Sequence, residues 1–261
     1  MCTLIAVRGR HPRYPLLVGA NRDEFYQRPS TPPVVTGEAP RILAPRDELA
    51  GGTWMGANDR GLFVALTNQR QHQAPDRTRR SRGQVVLSLL AESSVAGIEA
   101  RLSQTDPSET NDFNLLFGDV DALRVAYSRA GQSEVEVAPL GAGVWVLPND
   151  RIGSLDFPKA TRAAASIEAL SPDALFPDGL RDVLSDPTLP PLEEIPEPPP
   201  GSRFDRALLR RLQALCIHTP HYGTRSATLL ALGAAGVERY LFADGPPCTT
   251  EFHDFASLFS S

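Results

Sequence analysis

A cysteine directly follows Met1, and its position would let one residue supply two catalytic groups. If Met1 is removed, Cys2 carries a thiol and a free α-amine on the same carbon. Thiols have a reference pKa of about 8.5 and α-amines of about 7.7–8.0, so the amine can accept a proton near neutral pH. Enzymes with an N-terminal threonine pair nucleophile and base in this way. The alternative is that Cys2 only begins a strand.

A hairpin would bring a carboxylate close to this cysteine. Residues 14–20 form an apolar run flanked by turn residues, which predicts a strand. Residues 8–13 suit a hairpin loop between this strand and the one that begins at Cys2. The hairpin would return the charged cluster at residues 21–25 to the start of the first strand. We therefore expect Asp23 to lie beside the thiol and the α-amine.

Further short motifs follow this hairpin in a fixed order. The motifs are Cys2-Thr3-Leu4, Ala20-Asn21-Arg22-Asp23-Glu24-Phe25, Gly51-Gly52-Thr53-Trp54-Met55-Gly56, Ala65-Leu66-Thr67-Asn68, Ser81-Arg82-Gly83, Phe113-Asn114-Leu115-Leu116 and Tyr222-Gly223-Thr224-Arg225-Ser226. Together they resemble the NRDE family of transport and Golgi organisation 2-like proteins over essentially the whole chain. That family is similar to N-terminal nucleophile (Ntn) hydrolases of the bile-salt hydrolase and penicillin V acylase type. The resemblance implies an α+β fold, an αββα four-layer sandwich of two antiparallel sheets flanked by helices, and amide-bond hydrolysis.

The resemblance also implies catalytic roles for individual residues. Cys2 would be the nucleophile, and Asp23 matches the aspartate that holds it. Asn68 matches an asparagine whose amide helps to form the oxyanion hole, and Asn149 resembles a second asparagine of the same site. Arg203 resembles a late catalytic arginine. Acyl transfer needs a nucleophile, a base and donors aimed at the developing oxyanion, although each asparagine also suits a strand-end turn.

Four residues within or beside these motifs are expected to bind substrate. They are Asn21, Arg22, Trp54 and Arg225.

One position departs from the bile-salt hydrolase pattern. An arginine stands three residues before the aspartate in that pattern, and the matching residue in this chain is Ala20. Because side chains alternate along a strand, Arg22 should point away from the face that carries Asp23. A cation beside a thiol lowers the pKa of the thiol. We therefore expect this help to come from Arg203 or Arg225, or to be missing.

Composition predicts one globular domain over residues 1–261. The chain is 41% hydrophobic, enough for a sizeable core, and its net charge of −5 argues against a nucleic-acid or anionic-membrane surface. Neither a transmembrane run nor a signal peptide is evident. An odd count of three cysteines does not indicate a disulfide framework, and a cytoplasmic location would suit a thiol nucleophile.

Metal and cofactor motifs are not evident, and we expect no resident metal. Lys159 is the only lysine, follows a proline at a predicted helix start, and is expected at the surface. The segment from Cys216 through His218 to His221 offers three potential metal or haem ligands. A strand-like context would point these side chains to different faces, and Pro220 would break the element.

Strand and helix patterns can be placed along the remaining chain. Predicted strands cover residues 53–56, 62–67, 114–118, 123–128, 143–147, 226–232 and 238–242, and predicted helices cover 95–103, 159–169 and 178–184, with one ending near 91 and one starting near 203. The spacing of Ser81 and Gln84 predicts a capping box at the helix that ends near 91. Residues 186–201 contain seven prolines and form either a linker or, as we prefer, an extended loop. The arginines of residues 77–82 precede a helix and suit either an anion site or a solvated loop.

Two functions of different classes remain. The first is a cysteine amidohydrolase that acts on a small acyl amide and requires no cofactor. The second is a non-catalytic carrier that uses the same pocket for haem, acyl-CoA or a lipid-like ligand, because eukaryotic members of the resembled family are associated with haem handling and acyl-lipid metabolism. Ala20 weighs against turnover, whereas Cys2, Asp23 and Asn68 weigh for it.

Overall fold

Two antiparallel sheets lie at the centre of the molecule. The computed structural model describes residues 2–259. Its strands are β1 (Cys2–Arg8), β2 (Leu16–Phe25), β3 (Ser30–Thr36), β4 (Ile42–Asp47), β5 (Met55–Asn58), β6 (Phe63–Asn68), β7 (Phe113–Gly118), β8 (Leu123–Ser128), β9 (Glu136–Leu140), β10 (Gly143–Leu147), β11 (Tyr222–Gly233), β12 (Gly236–Ala243) and β13 (His253–Asp254). The first sheet has the order β10-β1-β2-β11-β12-β13, and the second runs from β3 to β9 in sequence order.

Helices cover the outer faces of the sheets. They are α1 (Arg82–Leu90), α2 (Val95–Ser103), α3 (Pro158–Glu168), α4 (Leu180–Leu184) and α5 (Arg206–Arg211). Helices α1 and α2 pack on the second sheet, and α3 and α4 pack on the first. Within residues 2–259, no helix combines the length and apolar character that crossing a membrane requires.

Three buried apolar layers hold this arrangement together. Alternate side chains of β1 and β2, such as Leu4 and Ala20, join the layer between the sheets. The intervening side chains, such as Ile5 and Leu17, pack against α3 and α4. A third layer lies between the second sheet and the helices α1 and α2. The αββα four-layer sandwich expected from the resemblance is therefore confirmed.

Two strands and one helix have the bounds that the sequence predicts, namely β8, β10 and α2. By contrast, β3, β4, β9 and β13 were not predicted. Strands β3 and β9 are the two edges of the second sheet, and both contain proline, which edge strands tolerate because half of their N–H groups need no partner.

The start of α1 depends on a close approach between backbones. The predicted capping box is wrong, because the Ser81 side chain makes no capping hydrogen bond. The Gln84 side chain instead donates to the Gly51 carbonyl at 2.8 Å. A Cβ atom on Gly83 would lie 2.9 Å from the carbonyl oxygen of Thr53, so glycine is needed at this contact. Helix α1 is thereby fixed against the segment that carries Trp54.

Residues 186–201 form an extended loop that packs on the protein surface. Arg210 Nε donates to the Pro190 carbonyl at 2.7 Å, and Arg206 Nε donates to the Ile195 carbonyl at 2.8 Å. A short 3-10 turn at Leu192–Glu194 is its regular structure. These bonds to α5 agree with the preferred interpretation of a loop rather than a linker.

We predict that Asn58→Ala lowers the free energy of unfolding by about 3 kcal/mol. The Asn58 amide donates to the carbonyls of Leu90 and Glu92 at 2.8 and 2.9 Å, and its oxygen accepts the N–H groups of Arg60 and Leu62. The variant would leave the Leu90 carbonyl and the Leu62 N–H, both on buried residues, unsatisfied. Urea unfolding would measure the loss. Asp59→Ala, at an exposed neighbour in the same turn, is the control and should change stability by no more than about 0.5 kcal/mol.

Candidate functional site

Strand register decides which side chains surround Cys2. In the antiparallel pairs, Cys2 lies opposite Arg22, and Arg22 lies opposite Ser226. Opposite residues share a face, so these three side chains point between the two sheets. Asp23 points toward the helix layer instead. Arg22 points away from the face that carries Asp23, as predicted. The expectation that help for the thiol must come from Arg203 or Arg225, or be missing, is wrong, because Cys2 shares the face of Arg22 and the charge of Arg22 lowers the pKa of the thiol.

The guanidinium of Arg22 is held in place by its neighbours. Its Cζ atom lies 4.2 Å from the ring centroid of Trp54, a cation–π contact. Its Nη1 atom donates to Ser30 Oγ at 3.2 Å. Its Nη2 atom is buried and has no hydrogen-bond partner among residues 2–259. Arg22 and Trp54 thus lie together beside Cys2 with one donor available.

The Cys2 thiol lies in a buried but polar environment. Burial raises the pKa of this thiol, and the nearby Asp23 carboxylate adds to the increase. The backbone N–H of Asp23 donates to the sulfur, and this bond and the charge of Arg22 act in the opposite direction. Only 7% of the cysteine is exposed. The thiolate therefore needs a base or additional positive charge to form.

Asp23 is anchored from the neighbouring strand. Thr224 Oγ1 donates to Asp23 Oδ1 at 2.7 Å, and the Tyr222 hydroxyl donates to the Asp23 carbonyl at 2.7 Å. Burial raises the pKa of Asp23, whereas the charge of Lys159 and the bond from Thr224 lower it. The carboxylate is thus fixed in position close to the start of β1.

Lys159 is a member of the site that sequence reasoning placed at the surface. That prediction is wrong, because Lys159 is completely buried. Burial lowers the pKa of its ammonium, and Asp23 and Cys2 raise it. The signal was present in the sequence, since Lys159, Ala163 and Ile167 are spaced by four residues and form the buried stripe of α3.

Asn21 holds backbone rather than pointing between the sheets. Its Nδ2 atom donates to the carbonyls of Leu184 and Leu215, both at 2.8 Å. These bonds tie β2 to the end of α4 and to the segment after α5. In the described structure, the amide therefore positions two chain segments on the helix side of the sheet.

Asn68 and Asn149 meet where the two sheets face each other. Because Leu4 pairs with Leu147, the chain reaches Asn149 beside Cys2. Asn149 Nδ2 donates to the Asn68 carbonyl at 2.7 Å, which joins the sheets at this point. One N–H of the Asn149 amide is thereby used, and its oxygen has no hydrogen-bond partner among residues 2–259. The side chain of Asn68 is half-buried.

Arg203 and Arg225 lie in different environments. Arg203 is exposed, its N–H donates to the His72 carbonyl at 3.1 Å, and its guanidinium lies over Phe204. Arg225 is half-buried and is the extra residue of a β-bulge, because Thr224 pairs with Asp23 and Ser226 with Arg22. Bulges redirect a side chain. Catalytic and substrate-binding roles for these two arginines stay predictions.

Additional positive charge surrounds the thiol. A Cys2 thiolate would raise the pKa of Arg22 and Arg82, which burial lowers, and it contributes to the raised pKa of Arg28. Arg28 also pairs with Asp47 at 2.7 Å. The charge of Arg22 opposes part of the increase that burial causes, but the pKa of the Cys2 thiol stays above its ordinary value.

Known proteins match the chain in sequence. Residues 1–241 match the family model described as Transport and Golgi organisation 2. The mouse homologue is 32% identical over 85% of this chain and 84% of the mouse protein. The bovine homologue is 29% identical over 93% of this chain and 92% of the bovine protein. The chain belongs to the Transport and Golgi organisation 2 family.

Solved structures match the fold. An N-acylethanolamine-hydrolyzing acid amidase orthologue from Caenorhabditis elegans has a TM-score of 0.58 and 13% identity, covering 91% of this chain and 94% of its own. A mutant conjugated bile acid hydrolase from Clostridium perfringens has a TM-score of 0.51 and 12% identity, covering 98% and 96%. The Ntn-hydrolase fold expected from the resemblance is confirmed.

We predict that Asp23→Asn changes the pH dependence of stability. A carboxyl whose pKa is raised in the folded state contributes its stability below its unfolded pKa of about 3.9 and loses it as pH rises through the folded pKa. The amide cannot titrate but can still accept the bond from Thr224. In urea unfolding between pH 4 and 7, the free energy of unfolding of the variant should therefore increase relative to that of the wild type as pH rises.

Asp106→Asn is the control for this experiment. Hydrogen bonds from Ser108 lower the pKa of Asp106, so that carboxylate adds its stability as pH rises to its unfolded pKa of about 3.9, and the variant should show no gain on the wild type between pH 4 and 7. A parallel pH dependence in the two variants would contradict the assignment of a raised pKa to Asp23.

We also predict that Arg22→Leu slows alkylation of the Cys2 thiol about tenfold at neutral pH, because loss of a nearby cation raises a thiol pKa by about one unit. Peptide mass spectrometry after brief, limiting alkylation would measure the rate. Arg13→Leu is the control, since that side chain is 69% exposed and pairs with Glu238. Equal slowing in both variants would show that Arg22 has no specific effect on the thiol.

Proposed function

We propose that this member of the Transport and Golgi organisation 2 family is an N-terminal cysteine amidohydrolase that cleaves the C–N bond of a small acyl amide. The observation that carries the proposal is the register of β1 on β2, which sets Cys2 opposite Arg22 and brings the Asp23 N–H to the thiol. The names of the two structural neighbours describe hydrolysis of amides or conjugates by those proteins. They support the fold, and the reaction in this chain is our inference.

Acylation would begin after removal of Met1. The freed α-amine of Cys2 takes the thiol proton, and Asp23 holds the resulting ammonium close to the sulfur. The thiolate attacks the substrate carbonyl carbon, and the Asn68 side-chain amide with a backbone N–H stabilises the oxyanion. The C–N bond then breaks, and the ammonium returns its proton to the leaving amine.

Deacylation would use water. The α-amine of Cys2 takes a proton from the water as its oxygen attacks the thioester carbon. The C–S bond breaks, the acyl group leaves as a carboxylic acid, and the thiol is restored. No metal or cofactor is needed for either step, because the α-amine moves the proton each time.

Charge suggests the class of substrate. Three arginines, Arg22, Arg28 and Arg82, interact electrostatically with a Cys2 thiolate. Lys159 adds a buried ammonium on the helix side of the sheet. We therefore propose a small amide whose acyl or amine part carries a carboxylate. Arg22 and Trp54 would contact the substrate, with Arg225 and Arg203 at the outer part of the site.

Location and partners follow from the same chemistry. We propose that the protein works in the reducing cytoplasm, which keeps its thiol free. The net charge of −5 makes a nucleic acid an unfavourable partner.

The test combines maturation with turnover. Mass spectrometry of the native protein should show complete loss of Met1 and alkylation of Cys2 ahead of Cys216 and Cys248. A panel of carboxylated and neutral acyl amides should then give turnover that Cys2→Ala abolishes, falling more than a thousandfold. Retained Met1, or a Cys2 thiol no more reactive than the other two, would refute the hydrolase.

A sharper control separates an N-terminal nucleophile from an ordinary thiol. An alanine inserted between Met1 and Cys2 keeps the thiol but transfers the free α-amine to another residue. Turnover should fall as far as it does in Cys2→Ala. Turnover that survives the insertion would contradict the role of the α-amine.

A carrier of haem, acyl-CoA or lipid is the second candidate. The names of the mouse and bovine homologues concern transport rather than hydrolysis, and the buried position of Cys2 suits an enclosed ligand. Haem would then be cargo and not a cofactor. A Soret shift that persists in Cys2→Ala, together with no turnover on any amide, would favour the carrier.

A further inference from the structure

Three soft donor atoms converge near the start of β11 and the end of β12, outside the site described above. Cys216 Sγ lies 3.3 Å from Cys248 Sγ and 3.5 Å from His218 Nε2, and His218 Nε2 lies 3.2 Å from Cys248 Sγ. Cys216 is completely buried, whereas His218 and Cys248 are exposed. A buried ligand with two exposed ones leaves a path from solvent to the centre of the group.

The three ligands expected from this segment do not all converge. His221 lies apart from the other two, as expected from a strand-like context, but Cys216 Sγ and His218 Nε2 lie together at 3.5 Å. The third donor comes from Cys248, in the loop after β12, which lies far away in sequence. His221 is not a member of the group.

We propose that Cys216, His218 and Cys248 form a binding site for a single zinc-like divalent ion, with a fourth position open to water or an external ligand. Tetrahedral zinc with bonds of about 2.0–2.3 Å has ligand–ligand edges of roughly 3.5–3.8 Å. The observed distances between the donor atoms, 3.2, 3.3 and 3.5 Å, are only slightly shorter. An ion about 1 Å out of the plane of the three atoms would lie about 2.2 Å from each of them.

Donor chemistry selects the kind of ion. Two thiolates and one imidazole are ligands for zinc and similar soft or borderline metals, whereas magnesium and calcium require oxygen. Binding would release the two thiol protons to solvent as the metal–sulfur bonds form. The three donors point to one centre from three directions. A planar haem, which fills four positions around its iron, cannot be bound by all three.

The ion would fix a segment that also contacts the Cys2 site. The Leu215 carbonyl accepts from Asn21 at 2.8 Å, and the Ile217 N–H donates to Thr224 Oγ1 at 2.9 Å. Thr224 in turn donates to Asp23 at 2.7 Å. An ion bound to Cys216 and His218 would hold the backbone that makes these two bonds. It would thereby restrict the motion of Asp23. The ion itself stays outside the reaction, so the metal site does not depend on the proposed hydrolase.

Cobalt and zinc titrations of chelator-treated, reduced protein test the proposal. One equivalent of Co²⁺ should give thiolate-to-cobalt charge-transfer absorption and tetrahedral ligand-field bands, and one equivalent of Zn²⁺ should abolish them. Thermal unfolding provides a second readout, because saturating Zn²⁺ should raise Tm by mass action. Absence of the cobalt bands at one equivalent would overturn the site.

Matched variants identify the ligands. His218→Ala and Cys248→Ser should each weaken Zn²⁺ binding more than the roughly 100-fold that loss of an outer partner costs. His221→Ala, in the same segment but outside the group, and Cys2→Ser should bind as the wild type does. Binding unchanged in His218→Ala, or lost in Cys2→Ser, would overturn the assignment.

Oxidation of Cys216 and Cys248 provides a further test of the metal site. The sulfur atoms of Cys216 and Cys248 are close enough to form a disulfide, which would remove both thiolates from the metal. We expect zinc to protect these thiols from a mild oxidant, as measured by counting free thiols with and without the ion. Equal oxidation in the presence and absence of zinc would contradict the site.

Discussion

The register of β1 against β2 is the constraint on which the arrangement of the site depends. Pairing Cys2 with Arg22 sends the thiol and the guanidinium between the sheets, and it sends Asn21 and Asp23 toward the helices. A slip of one residue would exchange the two sets, because the side-chain period of a strand is two. The apolar residues of both strands prevent that slip, since they fill separate layers on the two faces. Packing of the core therefore also specifies the chemistry near Cys2.

Buried charges of both signs distinguish this region from the rest of the core. Arg22 and Asp23 of β2 and Lys159 of α3 are all nearly or completely buried. Such groups destabilise a fold unless partners compensate, and perturbed groups of this kind concentrate at functional sites. Compensation here is incomplete, since Lys159 Nζ has no hydrogen-bond partner among residues 2–259. A core built for stability alone would hold a methionine or leucine at that position of α3.

Sequence reasoning succeeded where composition and motif order carry the information. The β-branched and aromatic residues of β8 and β10 indicated those strands, and the order of motifs indicated the fold. Strand β2 was expected to end near residue 20 but continues to Phe25, because its polar residues find buried partners across the sheet and in the helix layer. Lys159 was missed although its four-residue spacing from Ala163 and Ile167 indicates a buried face, because lysine is rarely buried. Cys248 was missed because its proximity to Cys216 and His218 arises from tertiary contacts that no local pattern expresses.

The segment from Leu215 to His218 connects two polar sites that have different chemistry. Its Leu215 carbonyl accepts a hydrogen bond from Asn21, and its Ile217 N–H donates to Thr224. The side chains of Cys216 and His218, in the same segment, are two of the three converging soft donors. A ligand held by those donors would restrict the same backbone that positions Asp23. Binding at one site must then favour binding at the other by an equal factor if both prefer the restricted state. The hydrogen bond from Thr224 to Asp23 is the shortest physical route for that coupling, since it joins the two sites through a single hydroxyl.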